Sequence, residues 1–327
     1  MDIAAIREYL GNDWTAVQDR IASSLRSDIG LLNSTNDSIL SHSGKQMRPM
    51  LSLVMARACS GMPAVDATIR YAAASELLHN ATLLHDDVAD QSEQRRGVPT
   101  IMSLMGPAVS VLVGDYWLVK AVELVLDASD GDMRVIKLFS KTLSDLAEGE
   151  MLQLQKAQKG DTDEGDYLKI IYNKTASLFE AACISAAISV NACPEYEKAA
   201  KDYAYALGIA FQIKDDILDY DGTESVGKPL GVDILEQKMT MPLLGALANA
   251  GPDEDKKMRA LVRDIVGHPE HRDEIVAFVK ANGGMEYASE RLDFYVDQAA
   301  EALDVLPESY EKELLVKLAR YTANREK

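Results

Sequence analysis

Residues 69–90, IRYAAASELLHNATLLHDDVAD, contain neither Gly nor Pro, and their apolar side chains return at intervals of three and four. That spacing follows the 3.6-residue turn and does not fit a strand, whose faces alternate every second residue. Other stretches repeat the pattern. DMRVIKLFSKTLSDLAEGEMLQLQKAQ at 132–158 opens on Asp132, a natural N-cap, and continues amphipathic for several turns. The segments 176–190 and 197–220 are Ala-rich, which suits close helix packing, and 239–251 has Pro242 where a helix can start and Gly251 where it can stop. No series of alternating strands is present. Polar breaks at 41–49, 91–100, 127–132, 159–166, 220–233 and 251–256 are too short and too unbiased to be domain linkers. The expectation is one all-α domain over residues 1–327, a single-domain helical bundle.

Charge and composition narrow the function. The net charge is −18, which opposes nonspecific nucleic-acid binding, since that rests on Lys and Arg neutralising phosphates. Phosphate ligands remain open, because a divalent cation can bridge two anions. Cys59, Cys183 and Cys193 stand at no metal-ligand spacing, and read as buried free thiols of a reducing compartment. The N-terminus lacks a basic segment followed by an apolar core, and no apolar run is long enough for a membrane span. A cytoplasmic protein without an integral membrane segment is expected.

The 69–90 helix ends in acid. Asp86 and Asp90 are four residues apart and share a helical face, with Asp87 between them. Like charges so placed destabilise an isolated helix by roughly 0.2–0.5 kcal/mol per pair. FQIKDDILDYDG repeats the pattern in Asp215, Asp216 and Asp219. One such cluster in an acidic chain is a solvated helix end as readily as a site. Two identical DDxxD clusters, each ending an apolar helix and followed by a basic, Gly-containing loop, are harder to dismiss. Carboxylates gathered around one cleft need cations, and a set of oxygen donors without Cys or His suits Mg²⁺.

Basic residues recur in short motifs: Lys45 and Arg48 in GKQMRP, Arg95 and Arg96 in RRG, Lys174 and Thr175 in NKTAS, Lys228 and Lys238 in GKPLGVDILEQK. Singly each is an ordinary surface charge. Beside twin acidic clusters they look like diphosphate clamps, with Arg reaching two oxygens and Lys acting as a point charge. His79, two turns before Asp86, falls on roughly the same face. GTESVGK at 222–228 imitates the start of a phosphate-binding P-loop, but Pro229 stands where the Mg²⁺-binding hydroxyl belongs and the preceding segment is helical. It is not a nucleotide-binding loop.

GKQMRP, LLHDDVAD, RRGVPT, the GD at 114–115, KTA, FQIKDDILD, GKPLGVD and the K.T.P of 238–242, in this order, resemble the trans-isoprenyl diphosphate synthases, or polyprenyl synthetases. The resemblance spans nearly the whole chain. Met241, where Leu is common, is a departure that puts nothing in doubt. The resemblance implies a helical bundle of the isoprenoid synthase type with a deep central cavity, usually a homodimer. It assigns Asp86, Asp87, Asp90, Asp215, Asp216 and Asp219 to Mg²⁺ on an allylic diphosphate. Arg95, Lys174, Thr175, Gln212, Lys228 and Lys238 would contact that substrate, and Lys45, Arg48, His79 and Arg96 would bind isopentenyl diphosphate. The implied reaction is head-to-tail condensation, with Asp86, Asp90, Lys174, Thr175, Asp215 and Lys228 closest to the chemistry.

Product length is left open by these motifs. Thr82, Ala81 and Leu78 lie one and two turns before Asp86, along the path of a growing chain. Thr82 and Ala81 are small, so a medium- or long-chain all-trans product of the quinone side-chain type is expected, with farnesyl or geranylgeranyl diphosphate as the alternative. A bulky group on another helix, such as Trp117, could instead close the tunnel. A terpene cyclase is disfavoured by 6% aromatic content, since cyclases line their cavities with cation-stabilising rings. A non-catalytic subunit would be expected to lose aspartates from one cluster, and both are intact.

Overall fold

The stretch from residue 69 folds as its period predicts, within a helix over Asp66–Ala89 that Asp90 caps. The computed structural model describes residues 3–95, 97–221 and 231–325; Arg96, Lys228 and the P-loop-like 222–228 lie outside these. Helices carry nearly all the described structure, and the strands among the described residues are Gln94–Arg95 and Val98–Pro99. These pair antiparallel, Arg95 opposite Val98, with Gly97 at φ 78° in the turn. The helical period could not reveal so small a hairpin. It rests on a turn residue with positive φ, which Gly supplies without a steric cost.

The chain forms two compact units from interleaved segments. Unit 1 comprises Met1–Ser140, Ala181–Ala200 and Val305–Leu315. Its centre is the Asp66–Ala89 helix, against which Asn12–Ser24, Met47–Ser60 and Pro107–Ser129 pack. Ala72, Ala73 and Ala74 are fully buried there, and small side chains let backbones approach closely. Gly114 shows how closely: a Cβ there would sit 2.4 Å from His85 Nε2. Ser110 Oγ donates to Leu84 O at 2.8 Å across the same pair of helices. Trp117 is buried, and its indole donates to Asn36 Oδ1 at 2.8 Å. Cys59 is half-buried, its thiol pushed up to about 12 by burial first of all, and Cys183 is buried. Cys193 is exposed, contrary to the sequence expectation, because it precedes Pro194 at the start of the helix Pro194–Asp221 rather than lying inside a helix.

Unit 2 comprises Lys141–Glu180, Lys201–Asp304 and Val316–Lys327. Here helix Met241–Asn249 starts after Thr240 with Pro242 in its first turn, where a missing N–H costs nothing. It packs on Gly284–Ala302 at two glycine contacts: a Cβ on Gly284 would meet Pro242 O at 2.2 Å, and one on Gly245 would meet Tyr287 Cδ1 at 2.6 Å. Among the described residues no helix is long and apolar enough to cross a membrane.

Candidate active site

Both aspartate clusters sit at helix C-termini, on Asp66–Ala89 and Pro194–Asp221. The macrodipole there is negative and favours cations. Carboxylates at this end break a local stability rule twice in one chain, as functional sites do.

In unit 1, Asp86 is half-buried and Asp90 exposed, and the Asp90 amide donates to Asp86 O at 2.8 Å, so the two share a face one turn apart. Asp87 turns the other way. The residue is 4% exposed, and its carboxylate accepts from Arg95 Nε at 2.8 Å. The hairpin thus returns Arg95 to the helix end that precedes it. His85 Nε2 lies 3.2 Å from Asp115 Oδ1, so the GD pair at 114–115 provides both the space for His85 and a carboxylate beside it. Farther back on the helix, Leu78 and Ala81 are buried and Thr82 Oγ1 donates to His79 O at 2.8 Å. Lys45 and Arg48 flank the start of helix Met47–Ser60, where unpaired backbone N–H groups favour anions.

The second cluster repeats the division. Asp215 and Asp219 are half-buried, whereas Asp216 is 2% exposed. Asp216 Oδ2 accepts from Tyr167 Oη at 2.5 Å and its Oδ1 from Gln212 Nε2 at 3.0 Å. Gln212 Oε1 in turn accepts from Thr175 Oγ1 at 3.0 Å. Asp219 accepts the backbone amides of Val232 and Asp233, each at 3.1 Å. Asp215 Oδ1 lies 2.8 Å from Arg325 Nη2, and the buried Arg325 guanidinium stacks 4.0 Å from the Phe211 ring centroid.

Lys174 and Thr175 occupy a π-helical turn, Tyr172–Ala176, an irregularity that recurs at functional sites. Two glycines hold it. A Cβ on Gly149 would fall 2.7 Å from Asn173 Cβ, and one on Gly208 would fall 2.5 Å from Ala176 Cα. Lys174 Nζ pairs with Glu150 Oε2 at 2.6 Å and donates to Gln153 Oε1 at 3.0 Å. Lys238 lies 3.7 Å from Asp233 Oδ1 and also pairs with Glu236.

Gln153, Lys174, Gln212, Asp216, Asp233 and Lys238 line one cleft of unit 2. Burial, reinforced by Asp233, pushes Asp219 up to about 6 and Asp216 well above the usual carboxylate range. Asp233 is raised too, again chiefly by burial. Burial disfavours the charged form of these carboxyls, and a bound cation would offset that cost. The donors are carboxylate oxygens, which fit a hard divalent ion such as Mg²⁺.

Sequence reasoning missed Tyr167, Glu150, Gln153, Asp233 and Arg325. Asp233 closes the quoted GKPLGVD motif, and Glu150 and Gln153 stand three apart on a helix, so these carried a signal. Tyr167 and Arg325 carried none, since only folding brings them to the cluster.

A helical chain with a cleft lined by both acidic and basic side chains has solved counterparts. The decaprenyl diphosphate synthase of Rhodobacter capsulatus matches at TM-score 0.90 with 36% identity, covering all of both chains. A Caulobacter crescentus CB15 polyprenyl synthase, in complex with calcium and isoprenyl diphosphate, matches at TM-score 0.90 with 32% identity over 100% of this chain and 98% of that one. The octaprenyl diphosphate synthase of Escherichia coli (strain K12) is 38% identical over the whole of both chains. The fold is therefore the all-α isoprenyl diphosphate synthase fold. Residues 30–280 match the polyprenyl synthetase family, and the chain belongs to it.

Proposed function

We propose that this chain is a trans-prenyltransferase that condenses isopentenyl diphosphate with an allylic diphosphate, extending it to a medium- or long-chain all-trans polyprenyl diphosphate. The observation that carries the reading is the repeated DDxxD arrangement at two helix C-termini, with Lys174 and Lys238 beside the second. Relatives named for octaprenyl and decaprenyl products support the chain length, and a family match that includes residues of both units supports reading them as one catalytic domain. Incubating the protein with farnesyl diphosphate, isopentenyl diphosphate and Mg²⁺ and chromatographing the products tests it. Products of eight to ten isoprene units are expected; a dominant farnesyl-sized product or a hydrocarbon would overturn the reading.

Breaking the allylic carbon–oxygen bond places negative charge on the departing diphosphate. Lys174, Thr175, Gln212, Lys228, Lys238 and Arg95 receive that charge, stabilising the transition state more than the ground state. Asp86 and Asp90 in one cluster, and Asp215 and Asp219 in the other, would hold Mg²⁺, which would neutralise more of that charge. Asp87 and Asp216, turned inward to Arg95 and to Tyr167 and Gln212, hold their neighbours in place. Lys45, Arg48, His79 and Arg96 keep isopentenyl diphosphate near the allylic cation, whose capture forms the new carbon–carbon bond. Proton loss to the released diphosphate leaves the trans double bond.

Leu78, Ala81 and Thr82 line the path of the growing chain. Ala81 is 1% exposed, so Ala81→Phe puts a ring where only a methyl group stood. A product shorter by several isoprene units is expected by chromatography, and an unchanged product would remove Ala81 from the tunnel.

A homodimer is part of the same reading. Leu112, Val119, Val122 and Leu126 are exposed on the Pro107–Ser129 helix, and an apolar stripe of this kind marks an interface. Leu112→Glu with Val119→Glu should shift the particle to monomer mass in analytical ultracentrifugation.

A further inference from the structure

The motif GKQMRP is held from outside itself. Arg7, on the N-terminal helix Ile3–Leu10, donates from Nη2 to Lys45 O at 2.8 Å and to Gly44 O at 3.3 Å. Its guanidinium stacks 4.9 Å from the Trp14 ring centroid on the next helix, Asn12–Ser24. These carbonyls belong to the loop that precedes helix Met47–Ser60 and take their donor from this distant side chain. The loop also carries strain. Gln46 caps that helix at φ 51° and ψ 52° and is 8% exposed. A non-glycine residue in this left-handed region costs of order 1 kcal/mol or more, and persists only where its surroundings over-determine it.

We infer that Arg7 is a positioning residue for isopentenyl diphosphate binding. By clasping the carbonyls of Gly44 and Lys45 it holds the strained loop, and so fixes where the Lys45 ammonium and the Arg48 guanidinium stand at the helix start. Arg7 itself touches no substrate. It acts through the backbone of the residue it clasps, and Trp14 keeps its guanidinium plane in register. Residues 3–14 precede the segment that matches the family model, residues 30–280, and lie within the full-length matches to the relatives. Lys keeps a cationic donor but loses the planar guanidinium that lies against the Trp14 ring, so it replaces only part of the anchor.

The inference rests on the assignment of Lys45 and Arg48 to isopentenyl diphosphate. Steady-state kinetics of the full chain, with each substrate varied in turn, tests both. Arg7→Ala is expected to raise the KM for isopentenyl diphosphate roughly ten-fold, from the loss of charge-assisted hydrogen bonds, with kcat and the allylic KM unchanged within about two-fold. Arg7→Lys should recover part of that loss, and it serves as the test variant if Arg7→Ala does not fold by circular dichroism. Lys45→Ala and Arg48→Ala are measured alongside. If they raise the KM for isopentenyl diphosphate and the Arg7 variants do not, the loop assignment stands and the role of Arg7 is overturned. If neither Lys45→Ala nor Arg48→Ala changes it, the loop assignment fails and the inference falls with it. An equal rise for both substrates, or a fall in kcat alone, would show a general structural role and overturn the inference.

Discussion

Asp86→Ala should lower the condensation rate by at least about 10³-fold while leaving the helical circular dichroism intact, if the carboxylate serves charge stabilisation rather than folding, as proposed. Asp86 is half-buried at a helix C-terminus, where a negative charge is already disfavoured, so removing it relieves local repulsion. The second cluster needs a more careful variant. Asp215 faces the buried Arg325 at 2.8 Å, and truncation to alanine would strip a partner from a buried cation, a change that is strongly destabilising in general. Arg325 keeps its bond to Phe211 O at 2.8 Å and its ring contact, which limits that cost. Asp215→Asn leaves an amide oxygen for Arg325 while removing the charge proposed to hold a metal ion, so its rate should fall as steeply as in Asp86→Ala with a melting temperature near wild type. Asp87→Ala makes the contrast. It deletes a buried carboxylate that receives Arg95, so the melting temperature should fall along with the rate. Full activity in Asp86→Ala or Asp215→Asn would remove the corresponding cluster from the mechanism.

Gly208→Ala is expected to lower kcat roughly 10²-fold, the penalty for misplacing catalytic groups by about 1 Å. The added Cβ would fall 2.5 Å from Ala176 Cα, a backbone atom that no rotamer change can move aside. The Pro194–Asp221 helix and the π-helical turn must therefore separate. Gln212 lies one turn beyond Gly208, and its 3.0 Å bonds to Thr175 and Asp216 cross the widened gap. Overpacking costs about 1–3 kcal/mol, partly offset by the roughly 1 kcal/mol gain in helix propensity from Gly to Ala. The fold should survive with a modestly lower melting temperature while catalysis suffers far more. A variant with full kcat would show that the turn's position does not govern activity.

The side chains proposed to set product length and to bind substrate differ in how visible they were in the sequence. Ala81 and Thr82 were legible as small residues on the face of Asp86, because helical spacing translates directly into position. Arg95 was legible as a cation but not in its partner: the structure gives it to Asp87 through a two-residue hairpin that no helical period announces. Arg7 and Arg325 looked like ordinary charges near the two ends of the chain, and each proves to hold a motif from a remote helix.

By itself the sequence determined the helices, the faces of the DDxxD aspartates and the order of the basic motifs. These depend on local spacing: 3.6 residues per turn puts Asp86 over Asp90 and Asp215 over Asp219, whatever the rest of the chain does. It also announced two acidic helix C-termini, a breach of local electrostatics that pointed to function. Only the tertiary structure decided which member of each cluster turns inward. Asp87 and Asp216 look identical to their neighbours in sequence, but a rotation of about 100° per residue carries them toward the protein interior. There a charge is tolerated only with partners, and Arg95, Tyr167 and Gln212 come from segments that folding alone brings near. The same holds for the π-helical turn at Lys174, whose position is set by two glycines on other helices, Gly149 and Gly208, and by the absence of the atoms that side chains there would add.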